Sequence, residues 1–115
     1  MRKTSGSPRG GGGGREAFKP RLYQLKGKRR VRVQLVDMRA TSLNSGDVFV
    51  LDAPERVYVW NGQQCNRVER AKGIDISARL SRQRGGGVSC VALDEGDTDS
   101  ADMAAFFALL GGTAA

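Results

Sequence analysis

The stretch SGDVFVLDAPERVYVWNG, Ser45 to Gly62, decides the fold. Val48, Phe49, Val50 and Leu51 form one apolar run, a turn with Pro54 follows, and Val57, Tyr58, Val59 and Trp60 form a second. Short apolar runs joined by a turn of this kind read as a buried β-hairpin. Asp47 stands at the entrance of the first run. A carboxylate beside a hydrophobic sheet either sits at the sheet end in water or is held there to bind something.

Upstream, RLYQLKG alternates Leu22 and Gln24 with Tyr23 and Leu25, and Gly27 with its basic neighbours reads as a turn. VRVQLVD then sets Val31, Val33 and Leu35 against Arg30, Arg32 and Gln34, the pattern of a half-buried strand. TSLNSG is a loop. Downstream, residues 66–84 contain no proline and suit a helix capped by Asn66 and stopped by Gly85, Gly86 and Gly87. Two stripes compete for its buried face: Glu69, Gly73, Ile76 and Leu80, or Ala71, Ile74 and Ala78. Periodicity alone leaves that choice open. If the first stripe packs on the sheet, Gly73 permits close approach and Glu69 points inward. VSCVAL is another strand, and MAAFFALLGG a short helix ending at Gly111 and Gly112. Strands, long helix, strand and short helix make an α+β domain.

The remainder bounds the function. The 115 residues allow one domain, expected over 19–112, with a Gly-rich basic linker over 1–18 and a tail over 113–115. No apolar run is long enough to span a bilayer, and no hydrophobic stretch follows the basic N-terminus as a secretory signal requires. Histidine is absent, and Cys65 and Cys90 are too few for a disulfide scaffold or a zinc site. With no paired carboxylates at plausible spacing and no phosphate loop, nothing supports an enzyme. The net charge of +7 is uneven: eleven basic residues against Glu16 through Arg32, then eight basic against eleven acidic. Such a basic end favours phosphates, anionic head groups or acidic protein faces. Only Tyr23 lies among these cations, too thin a stacking platform for nucleic acid. The acidic run of Asp94, Glu95, Asp97, Asp99 and Asp102 does not match an EF-hand and reads as a solvated loop.

RLYQLKGKRRVRVQLVD, SLNSGDVFVLD, VYVWNGQQCNRVERAKG and FFALLGG together resemble the gelsolin/villin family of actin-binding proteins, most of all its second repeated domain, over roughly 21–112. The resemblance implies a central mixed sheet between one long and one short helix. It implies a calcium ion held by the Gly46 carbonyl and the Asp47 and Glu69 carboxylates, with a fourth ligand from the segment that leads to the next domain. Hard oxygen donors of this kind suit calcium. It further implies actin-filament contacts through Lys28, Arg29, Arg70 and Ile74. Polyphosphoinositide head groups are expected to compete for Lys26, Lys28, Arg29, Arg30 and Arg32. Some secreted relatives carry a disulfide at the positions of Val48 and Asn61, which excludes that bond here and leaves Cys65 and Cys90 as free thiols. The expected setting is cytoplasmic and cytoskeletal, with capping or severing only alongside further gelsolin-like domains. The alternatives are an anionic-lipid surface binder or a diverged domain that keeps the fold without actin binding.

Overall fold

The structure, a computed structural model, describes residues 18–111. The linker expected over 1–18 lies outside the described residues except for Phe18, as do Gly112 and the tail at 113–115. Five strands, β1 (Arg21–Lys26), β2 (Arg32–Val36), β3 (Val48–Asp52), β4 (Arg56–Asn61) and β5 (Ser89–Asp94), form one sheet in the order β2-β1-β3-β4-β5. Every pairing is antiparallel except β4 with β5. That exception follows from the connection, because the long helix α1 (Arg67–Gln83) carries the chain across the sheet between them. A short helix, α2 (Ala101–Leu109), covers the other face.

The expected hairpin is β3 and β4, with Val48 opposite Asn61. Both strands are buried on both faces because each face has its own helix. Phe49, Leu51, Tyr58 and Trp60 pack toward Met103 and Phe106 of α2. Val48, Val50, Val57 and Val59 form the opposite cluster, with Ile76 and Leu80 of α1 against it.

The competition between helix stripes is settled by glycine. Gly73 is buried, and a Cβ added there would lie 2.9 Å from Val48 Cγ1 and 3.0 Å from Val59 Cγ1. Only a residue without a Cβ lets α1 approach so closely. Glu69 is consequently turned inward, while Ile74 of the rival stripe is 61% exposed. The expected caps are both present. Asn66 and Glu69 form a reciprocal capping box, and Arg84 closes the C-terminus before the glycines.

One strand departs from expectation. VRVQLVD is not half-buried: β2 begins only at Arg32, and Val33 and Leu35 are 41% and 62% exposed. They do share a face with Tyr23 and Leu25, as alternation requires. However, β2 is the sheet edge, and α1 packs mainly on the central β3 and β4. Arg30 accordingly lies in the turn rather than on the strand.

Candidate functional site

The start of α1 meets the sheet end at a pocket lined by Lys26, Gly27, Lys28, Gly46, Asp47, Gln64, Arg67 and Glu69. The three residues expected to bind calcium are therefore brought together. The backbone explains how. Gly27 adopts a positive φ of 150°, where a Cβ would collide with the Arg30 carbonyl. This turn carries the Gly27 N–H to Glu69 Oε2, donating at 2.8 Å. Asn66 completes the link by donating its side-chain amide to the Gly27 carbonyl at 2.8 Å. The helix start is thus tied to the β1–β2 turn by protein groups alone.

Asp47 and Glu69 are 4% and 3% exposed. Their hydrogen-bond donors are neutral. Gln24 and Asn44 donate amide hydrogens to Asp47 Oδ2 at 2.7 and 3.0 Å. Backbone N–H groups of Gly27 and Asn66 serve Glu69. Among the described residues the nearest cation is Lys26, whose Nζ is 4.0 Å from Asp47 Oδ2, beyond hydrogen-bond range. Two buried carboxylates thus share a pocket, each held by neutral hydrogen-bond donors rather than by a close ion pair. Two carboxylates meet Gly46 and Gln64 at this pocket, residues whose oxygens are of the kind a hard cation takes, alongside the cations Lys26, Lys28 and Arg67. Gln64 was not singled out from the sequence, because nothing in QQC distinguishes it from a surface glutamine. These oxygens fall short of the six to eight that calcium prefers, so water would complete the shell. The described residues hold no group of three or more His, Cys, Asp or Glu placed for a metal.

That last observation also bears on the acidic run, which forms no such group. It is not merely solvated either. Glu95 accepts from Ser45 Oγ at 2.7 Å and from the Gln63 N–H at 2.8 Å, and Asp102 pairs with Arg56 at 2.6 Å. These carboxylates fasten loops.

The five cations of KGKRRVR do not form the single patch that alternate strand positions suggested. Lys26 and Lys28 line the carboxylate pocket. Arg29 and Arg30 line a separate groove with Val68, Ala71, Lys72 and Asp75 of α1. Arg32 pairs across the strands with Lys26. Arg70 also lies apart from them. Its guanidinium approaches Asp94 of β5 at 3.9 Å, on the opposite flank of α1 from the groove. Ile74, one turn further along α1, is exposed on the same stripe. Of the residues expected to meet actin, Arg29 and Arg70 flank the exposed ridge of α1 that carries Ile74, whereas Lys28 lies in the carboxylate pocket. Lys72 joins the cations for a reason visible only in three dimensions: it faces Arg29 and Arg30 across the groove. Cys65 and Cys90 are free thiols, as expected.

A mixed five-stranded sheet between a long and a short helix, with two buried carboxylates in a pocket at the long helix start, defines a small α+β domain. Comparison with known proteins makes this specific. The gelsolin repeat family model matches residues 29–97. The chain is 45% identical over 92 residues to protovillin of Dictyostelium discoideum, covering 80% of this chain and 10% of that protein. It is 42% identical over 101 residues to villin-2 of Arabidopsis thaliana, covering 86% and 10%. Among solved structures, the Thorarchaeota 2DGel3/rabbit actin complex contains a chain that superposes with a TM-score of 0.69 at 27% identity, over 77% of this chain and 44% of that one. The chain belongs to the gelsolin repeat family. It spans about a tenth of the length of the two curated relatives.

Proposed function

We propose that this domain is an actin-filament binding module whose docking surface is the exposed ridge of α1 and the cations on its two flanks. One observation carries the reading: Ile74 stands 61% exposed on a helix bordered by Arg29, Arg30 and Lys72 on one side and Arg70 on the other. An unpartnered apolar residue among guanidinium groups suits an acidic protein face with an apolar centre, and arginine forks suit its carboxylates. The actin complex formed by the structurally similar gelsolin domain supports the same partner. Calcium at Gly46, Asp47 and Glu69 would neutralise the two buried carboxylates and stiffen the helix start from which the ridge extends. The expected setting is the cytoplasmic actin cytoskeleton, with capping or severing only when further gelsolin-like domains act together.

The groove favours a second ligand. Arg29, Arg30 and Lys72 line one concavity whose carboxylate, Asp75, is paired with Arg79, an arrangement suited to the clustered phosphates of a polyphosphoinositide head group. Because Arg29 serves both readings, lipid and actin would exclude each other.

Co-sedimentation with actin filaments at physiological salt tests the proposal. The wild-type domain should pellet with filaments, and more of it in calcium than in chelator. Arg29→Glu and Arg70→Glu should each reduce pelleting at least several-fold, because both place a like charge against an acidic face. Wild-type protein that stays in the supernatant in both conditions would refute actin binding. Binding to phosphatidylinositol bisphosphate vesicles in that case would favour the lipid reading.

A further inference from the structure

Lys26 occupies an unusual position between the two charged regions. Its Nζ lies 4.0 Å from Asp47 Oδ2, close enough to contribute charge and too far to donate a hydrogen bond. Its side chain is 70% exposed, whereas that of Asp47 is 5% exposed. The amide donors Gln24 and Asn44 already hold Asp47 in place. Lys26 is therefore unnecessary for orienting the carboxylate, and its own side chain is free to leave. It is also the cross-strand partner of Arg32, so its alternative location is the exposed basic hairpin.

We infer that Lys26, the pocket cation that approaches Asp47, is a built-in competitor for the cation at Asp47 and Glu69, and so a residue that weakens divalent-ion binding there. The inference rests on the calcium reading given above. A divalent ion on the Asp47 carboxylate would stand against the Lys26 ammonium at a few ångströms, and two positive charges so close repel strongly at a half-buried site. The ion binds only as the ammonium swings outward, and the work of that displacement weakens the observed affinity. Without the ion, the ammonium returns and partly offsets the uncompensated charge of Asp47. Lys26 thereby moves a positive charge from the pocket to the basic hairpin whenever the ion arrives. It is a positioning residue for the site and not a ligand.

Isothermal calorimetry of calcium binding tests this with the wild-type domain, Lys26→Gln, Lys26→Arg and the distant surface control Lys19→Gln. Lys26→Gln should bind calcium about five-fold more tightly than wild type, the scale of one ion pair with an exposed partner. Lys26→Arg retains the charge and should show no gain. Lys19→Gln should match wild type, which separates direct competition from a change in net charge. Calcium binding by Lys26→Gln alone would also support the competitor role, because the pocket would then be blocked only by the ammonium. Equal affinities for wild type and Lys26→Gln would overturn the inference while leaving the calcium site intact. Weaker binding by Lys26→Gln would overturn it as well, showing that the lysine helps to build the pocket. Absence of binding by every folded variant would remove both the inference and the calcium reading beneath it.

Discussion

The two ends of α1 are anchored to the sheet by buried carboxylates, but in opposite ways. At the C-terminal end, Asp52 is 6% exposed and receives the Arg84 guanidinium at 2.7 Å. The same guanidinium donates to the carbonyls of Ala53 and Pro54, and the Phe18 ring lies 4.3 Å from its centre. Charge, geometry and donor capacity are all satisfied there. At the N-terminal end, Asp47 and Glu69 are equally buried but accept their hydrogen bonds from amides, with Lys26 Nζ 4.0 Å from Asp47 and with Lys28 and Arg67 lining the same pocket. The contrast separates a lock from a site. Where the protein supplies a close cation of its own, the carboxylate is structural; where the direct donors are neutral, an ion from outside is proposed to complete the pocket.

Substitutions at each end sharpen this difference. The largest effect belongs to Arg84→Met, which leaves Asp52 buried without its partner. It should lose about 3 kcal/mol or more in urea unfolding, equally in calcium and in chelator. Restoration of much of that loss by Asp52→Leu in the same chain would confirm that the unpaired charge was the cause. Asn66→Ala comes next. It removes the N-cap and the bond to the Gly27 carbonyl, and should cost roughly 1–2 kcal/mol by the same assay. A loss as large as that of Arg84→Met would erase the distinction between the ends. The smallest effect is expected for Arg56→Ala. Its pair with Asp102 is short, but the two side chains are 44% and 46% exposed, so less than about 1 kcal/mol should be lost.

Much of this was legible in the sequence, and the exceptions have a common physical origin. The β3–β4 hairpin and the capped helix depend on local patterns, apolar runs and an Asn at the helix start, whereas the inward turn of Glu69 was one of two open choices until the close approach at Gly73 decided it. The exposure of Val33 and Leu35 was not legible, because alternation tells which side a residue faces and not whether anything covers that side. The splitting of the KGKRRVR cations has the same cause, since strand geometry was extended into what is a turn. The Arg84–Asp52 lock spans 32 positions, and no local pattern selects one arginine among seven downstream of Val33. Gln64 and Lys72 became visible only once loop and groove were assembled. By contrast, the pairing of Asp47 with Glu69 came from family resemblance, and the shared pocket gives it a geometric basis.

The most direct test of the contrast is thermal unfolding of the wild-type domain and of Asp47→Asn, each in excess calcium and in chelator. An ion bound only by the folded state adds about 2.7 kcal/mol at a hundred times its dissociation constant. Wild type should therefore melt several degrees higher in calcium than in chelator. Asp47→Asn should melt at one temperature in both, close to that of wild type in chelator. A wild-type Tm indifferent to calcium, with Asp47→Asn destabilised equally in both conditions, would contradict the account and make the N-terminal end a second structural lock.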